Sequence, residues 1–199
     1  MLAVNRIQTP RRDGGFTLIE LMVTVSIAAI LMLVAVPSLT SFRRNAELTS
    51  VANKFITSVN AARGEALKRG MSAVVVPLDS ATGWNAGWVA FVDKARNQTY
   101  NAAAEGTVAI QQALPPGISV TGNGTATGTT PYIMFDASGF SREKTGGFAG
   151  LTLAIQRTDV PAADQPEQSR IIKVSTTGRV RVCKPVSATD PNCNALSVD

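Results

Sequence analysis

The chain contains no histidine. That absence removes Ser-His-Asp and Cys-His nucleophilic catalysis, imidazole-ligated metal and the usual proton shuttle at neutral pH. Cysteine is almost as scarce, with only Cys183 and Cys193 present. Two thiolates without an imidazole do not supply the four ligands of a closed structural zinc site. No nucleophile motif is recognisable either, with a Ser/Lys dyad the one arrangement left open. The chain is therefore read as a non-enzyme with no cofactor. Aromatic residues are few, at 6%. The formal charge of +5 is too mild an excess to identify a partner by itself.

What is present is a marked division along the chain. Its 199 residues suffice for one modest domain plus a membrane segment. Residues 1–15 are polar and basic, with Arg6, Arg11, Arg12 and Asp13. An apolar run follows from Phe16 to Val36, and Glu20 is its only charge. As a helix that run spans roughly 31 Å at about 1.5 Å per residue, the thickness of a bilayer core. The arginines before it predict a cytoplasmic N-terminus and a translocated remainder. An acid at mid-bilayer costs roughly 2.5–3.5 kcal/mol, so Glu20 calls for a partner. An ordinary cleaved signal would end in a small-residue site after the apolar core. Here Pro37 and a renewed helical pattern follow instead, leaving a plain signal anchor as the simplest alternative.

The stretch "RRDGGFTLIELMVTVSIAAILMLVAVPS" resembles the class III signal of type IV pilins and type II secretion pseudopilins. The resemblance rests on Gly15, then Phe16 to Glu20, then the apolar stretch to Pro37. It implies that a prepilin peptidase cuts between Gly15 and Phe16 on the cytoplasmic side and methylates the new amine of Phe16. It also implies that Glu20 meets the Phe16 amine of a neighbouring subunit during filament assembly. Pairing makes a buried acid far less unfavourable. A snorkelling, unpartnered carboxylate is the alternative.

Beyond Pro37, the residues Leu48, Val51, Ala52, Phe55, Val59, Ala62 and Ala66 recur at three- and four-residue steps. They predict one long helix with a kink or locally melted turn near Pro37, ending at Gly70. Arg43 and Arg44 are placed at the outer headgroups. After Gly70 the pattern changes to short strands: "MSAVVVPL", "GWVAFVD", "GTVAIQQAL", "GISV", "PYIMFDASGF", "GLTLAIQ" and "RIIKVSTTGRVRVC". "TGNGTATGTT" fits no phosphate loop and is read as a flexible surface loop. "RTDVPAADQPEQS" is read as a polar excursion. Trp84 and Trp88 suit core packing or a cross-strand pair better than stacking on a base or partner.

The expected fold is α+β and type IV pilin-like: one long N-terminal helix packed on an antiparallel sheet or sandwich. Three regions are expected: a cleaved leader at 1–15, a transmembrane and filament-core helix at 16–41, and a periplasmic globular domain at 42–199. Segments "VNAARGEALKRGMSAVVV", "GWNAGWVAFVD", "YIMFDASGF" and "IIKVSTTGRVRVCK" resemble, in order, those of GspH/FimT-type minor pilins.

Two features mark the C-terminal end. In a translocated domain Cys183 and Cys193 are open to oxidation. A bridge would close about eleven residues and stabilise by roughly 2.5–3 kcal/mol on the chain-entropy model; free thiols are the alternative. Arg170, Lys173, Arg179, Arg181 and Lys184 fall together, with no acid between Glu167 and Asp190. In "GRVRV", alternation puts Arg179 and Arg181 on one strand face, about 7 Å apart at their bases, suited with Lys184 to successive phosphates of double-stranded DNA. The resemblance points the same way, since FimT-group proteins with a Gly-Arg-x-Arg tail bind DNA during uptake. A solvated strand face, or pairing with acids of a neighbouring pilin, is the alternative.

The resemblance thus implies a minor pilin of a type IV pilus, acting in a tip or initiation complex. Its partners would be prepilin peptidase, other pilins, the inner membrane and DNA. The other reading is a minor pseudopilin of type II secretion, which shares the same N-terminal half.

Overall fold

The computed structural model describes residues 15–194. Residues 1–14, which hold nearly all of the expected leader, lie outside the described range, as do residues 195–199. The chain divides into two compact units, Met1–Phe42 and Arg43–Asp199.

Helix α1 runs Leu18–Arg69. Thr17 starts it. Its Oγ1 accepts a hydrogen bond from the Glu20 amide at 3.3 Å, and its carbonyl accepts one from the Leu21 amide. The spacing Thr-x-x-Glu is that of a capping box, and an acid in the first turn also favours the helix dipole. In the first unit the helix leaves its large apolar side chains exposed, among them Leu18, Ile19, Leu31 and Leu33, and Phe16 just before it is exposed as well. Thr24 and Ser26 turn their hydroxyls back onto the Leu21 and Met22 carbonyls, so neither interrupts the apolar surface with an unsatisfied donor. No single helix among the described residues is long and apolar enough to cross a membrane. The bent pair Leu18–Leu33 and Ser38–Arg69 meets the length and composition test together.

The second unit is built on the rest of α1. The apolar face predicted from periodicity is buried throughout: Leu48, Phe55, Val59, Ala62 and Ala66 are at 0% exposure. The helix stops at Gly70, where the Met71 amide donates to the Ala66 carbonyl in a Schellman-type closure.

Among the described residues nine strands follow: β1 (Ala73–Pro77), β2 (Trp88–Val92), β3 (Gly106–Gln111), β4 (Ile118–Gly122), β5 (Ile133–Phe135), β6 (Ser141–Arg142), β7 (Leu151–Arg157), β8 (Ser169–Val174) and β9 (Val180–Cys183). They form two sheets, ordered β3-β2-β1-β5-β6 and β4-β7-β8-β9, and every pairing is antiparallel. One core gathers the helix face with one face of each sheet: Val75, Ala90, Ile133 and Phe135 from the first, Val120, Leu153, Ile155, Ile172 and Val174 from the second. Period-two alternation sends the intervening residues outward. Val74, Val89, Phe91 and Met134 form a second cluster on the outer side of the first sheet, covered in part by Tyr100 and Tyr132.

Trp84 and Trp88 are both core residues. Their rings meet Phe55 edge-on at 5.4 and 4.7 Å, and their indole N–H groups donate to the Ala126 carbonyl and to Ser58 Oγ. The first of those bonds anchors the surface stretch "TGNGTATGTT" to the core at Ala126. Gly124–Ala126 forms a 3-10 turn, Ala126 is 1% exposed, and the Asn123 amide donates to the Thr152 carbonyl. Burying Trp84 requires an acceptor for its N–H, and the loop supplies it.

Arg44 has a partner within the domain. It pairs with Asp159 at 3.6 Å, and Asp159 in turn receives Nε and Nη2 of the nearly buried Arg157, whose Nη1 reaches Glu47 at 2.7 Å. This cluster ties α1 to the end of β7. The Arg157 hydrogen bonds hold the Asp159 carboxyl below its ordinary value, against partial desolvation and with help from the charges of Arg157 and Arg44.

Candidate functional site

Two regions carry the expected functional residues. At the front, Gly15 and Phe16 precede the helix and are exposed, Phe16 by 84%. A Cβ built on Gly15 meets nothing within 4 Å. The fold therefore does not itself demand glycine there. Glu20 is exposed in the first helical turn, its amide held by Thr17. Residue 37 lies within α1.

At the back, Cys183 and Cys193 form a disulfide with Cα atoms 5.8 Å apart. It packs on Ala154 and Ile171, on the face of the second sheet away from the main core. The loop it closes is organised by Asp190, which accepts amide hydrogens from Val186, Asn192 and Cys193. Those bonds, led by that from Val186 and then Asn192, lower the Asp190 carboxyl against the cost of burial. Sequence reasoning did not single out Asp190. The Asp-Pro-Asn-Cys run, an acid two and three residues before the amides it binds, is the turn signal that could have found it.

The expected basic patch separates into two parts. Arg170 turns onto α1, where its guanidinium donates to Asn45 Oδ1, Thr49 Oγ1 and its neighbour's carbonyl; partial burial lowers its pKa. Lys173 is 3% exposed. Neither presents its charge to solvent as the sequence pattern implied. Arg170 is held against α1, whereas Lys173 is buried on the face of β8 opposite the core-side Ile172 and Val174. Arg179, Arg181 and Lys184 remain exposed. In the β8–β9 register Val180 and Val182 face Val174 and Ile172, the core side, while Arg181 lies opposite Lys173. Arg179 and Arg181 line one surface hollow of about 390 Å³ together with Ser175 and Thr177; Lys184 is not part of it.

The turn that shapes this hollow is a three-residue hairpin loop. The Gly178 amide donates to the Ser175 carbonyl, and the Ser175 amide donates to the Arg179 carbonyl. Gly178 closes it at φ +78°, as the left-handed position of such a loop requires. Arg63, on α1, clamps the turn from behind. Its Nε donates to the Gly139 carbonyl at 2.8 Å and its Nη2 to the Thr177 carbonyl at 3.0 Å. A partner 114 residues away leaves no signal in local spacing, and Arg63 was not anticipated.

Among the described residues no group of three or more Cys, Asp or Glu side chains is placed to hold a metal ion. The arrangement offers a long apolar helix and an anion-attracting turn.

Comparison with known proteins agrees with this architecture. A family model described as Type II transport protein GspH matches residues 51–178, and one described as the prokaryotic N-terminal methylation motif matches residues 10–36. No curated protein sequence matches the chain. Among solved structures, the type IV minor pilin FimU of Pseudomonas aeruginosa strain PAO1 is similar in two crystal forms. The TM-scores are 0.50 and 0.51 at 16% identity, covering 70% and 73% of this chain and 98% of FimU. The minor pseudopilin EpsH of the Vibrio cholerae type 2 secretion system aligns over 71% of this chain and 99% of its own at 15% identity, with a TM-score of 0.47. The methylation motif implies processing by prepilin peptidase and assembly with other pilins. With residues 51–178, well over half of its length, matched to one family model, the chain belongs to the GspH family.

Proposed function

We propose that this chain is a minor pilin of a type IV pilus. The exposed apolar half of α1, headed by Gly15 and Phe16 and charged only at Glu20, supports a pilin or pseudopilin, and the exposed Arg179 and Arg181 with the Cys183–Cys193 bridge carry the reading to the pilus branch. An apolar surface of that extent needs lipid or other helices to cover it. Residues 1–15 are the cytoplasmic leader, 16–41 the membrane-spanning and filament-core helix, and 42–199 the periplasmic domain. Cleavage between Gly15 and Phe16 and methylation of Phe16 leave an amine that the Glu20 carboxylate of an adjoining subunit neutralises in the fibre. Since nothing in the fold crowds Gly15, the demand for glycine there comes from the peptidase. Pro37 kinks the helix and lets it adapt as it leaves the bilayer. Mass analysis of the N-terminus from membranes with and without prepilin peptidase tests this. A methylated Phe16 terminus should appear only with the enzyme, and the uncleaved leader in both samples would overturn it.

The domain adds DNA capture through Arg179, Arg181 and Lys184, with the phosphates of a duplex drawn to the two guanidiniums of the hollow. The full chain in detergent should retard duplex DNA, more weakly as salt rises. Arg179→Gln with Arg181→Gln should abolish the shift for every sequence alike. An unchanged shift in that double variant removes the turn from consideration. A role as a minor pseudopilin in type II secretion is the second reading, favoured by the description of the matched family. A deletion scored for twitching, transformation and exoprotein secretion separates the two.

A further inference from the structure

The hairpin turn that carries Arg179 has a twin. Asp136–Phe140, between β5 and β6, repeats its hydrogen bonding. The Gly139 amide donates to the Asp136 carbonyl and the Asp136 amide to the Phe140 carbonyl, with Gly139 at φ +77°. The two turns are locked together. The Ser141 amide donates to the Thr176 carbonyl at 3.0 Å, and Arg63 binds a carbonyl of each. The residue that follows the glycine is Arg179 in one turn and Phe140 in the other. Phe140 is 38% exposed and meets Phe148, 56% exposed, at 5.6 Å between ring centres. Arg142 lies over the Phe148 ring, 4.0 Å from its centre, and covers one face of it; being ion-paired with Asp136 at 2.6 Å, its charge is already answered. Phe140 thus stands on a turn whose backbone touches the one that carries Arg179, with Phe148 beside it, while the hollow itself is lined by Ser175, Thr177, Arg179 and Arg181.

We infer that the paired turns form a binding surface for single-stranded nucleic acid, in which unstacked bases rest on Phe140 and Phe148 while their phosphates lie at Arg179 and Arg181. This rests on the nucleic-acid reading above and deepens it. Duplex DNA offers the turns only phosphates, because its bases are stacked on one another. A single strand, or the frayed end of a duplex, offers both chemistries, and each has a matching group here. Stacking tolerates every base, so the preference is for strandedness rather than sequence. The Arg63 clamp fixes the spacing between the aromatic and the cationic turn, which lets one strand reach both.

The test uses the full chain in zwitterionic detergent and fluorescence anisotropy with three probes of about 20 nucleotides: oligo-dT, a duplex, and an abasic strand that keeps the phosphates but lacks the bases. The parent chain should bind oligo-dT roughly tenfold more tightly than the abasic strand. Phe140→Leu with Phe148→Leu keeps apolar bulk at both positions. It should remove that advantage while leaving duplex affinity within about twofold. Arg179→Gln with Arg181→Gln should weaken all three probes. Thermal melting of each variant confirms that it is folded. Equal parent affinity for oligo-dT and the abasic strand, or a leucine variant that still prefers oligo-dT, overturns the inference while leaving duplex binding standing. A parent chain that binds none of the probes overturns the nucleic-acid reading as well. A leucine variant that keeps oligo-dT affinity but loses association with other pilins assigns the two rings to a protein contact instead.

Discussion

Gly178 lies at φ +78°, and a Cβ on it would collide with the Gly139 carbonyl oxygen and crowd the Arg63 guanidinium. The glycine of the Gly-Arg-x-Arg stretch is therefore required twice, by its own backbone and by the neighbouring turn. Gly178→Ala should cost about 1–3 kcal/mol, read as a lower midpoint of thermal or denaturant unfolding. It should also weaken DNA binding, because the two arginines leave their register. Glu20 shows a different economy of residues. The resemblance to type IV pilins gives its acid a partner in another subunit, and the structure gives Glu20 a local place as well, three residues after the capping Thr17. The signal Thr-x-x-Glu was present in the sequence and compatible with either account. Trp84 was legible as a core residue, but its acceptor on Ala126 was not, because the two lie 42 residues apart.

At the scale of elements, α1 was the most legible part. Seven residues chosen on a period of 3.6 all proved buried, since a helix that must bury one face admits no other spacing. Phe55 stands at the middle of that face, touching both tryptophan rings. Phe55→Ala should cost about 3–5 kcal/mol, the range for emptying a large aromatic site in a packed core, and should red-shift tryptophan emission as solvent nears the indoles. Unchanged stability would mean that the sheets hold together without the helix. The strands were legible where they are long or wholly apolar, as in β1, β2 and β7. The two-residue β6 was not, because its strand character comes from pairing with β5 and a bridge to Phe148. Sequence showed the pattern of cations around β8 and β9; it did not show that Arg170 is held by the helix, since that depends on which face of β8 meets α1.

At the scale of the whole domain, stability has an acid limb with a definite sign. Asp159 and Asp190 both have folded values below those of the unfolded chain. In acid the unfolded chain then binds more protons, so stability rises with pH through that range. The stabilisation is fully present above the ordinary carboxylate value of about 4 and is lost as pH falls through the depressed values. Arg157→Met should remove the Asp159 part of that dependence. It should also cost about 2 kcal/mol at neutral pH, less than a fully buried pair because Glu47 and Asp159 are part-exposed. Denaturant midpoints at neutral pH and near pH ~3 check both statements; a variant whose midpoint falls as far in acid as the parent's would contradict them.

The amino-acid order alone determined what is local or periodic. This covers the apolar run and its single acid, the motif at Gly15 and Phe16, the buried face of α1, most strands and the two cysteines within bridging range. Those properties follow from side-chain chemistry at fixed short separations. Tertiary structure decided which charges reach solvent, what Ala126 and Asp190 do, and how the two hairpin turns come together. Each of these depends on a contact across the fold or on the closure of a loop, and in the linear chain nothing ties Arg63 to Gly139 and Thr177.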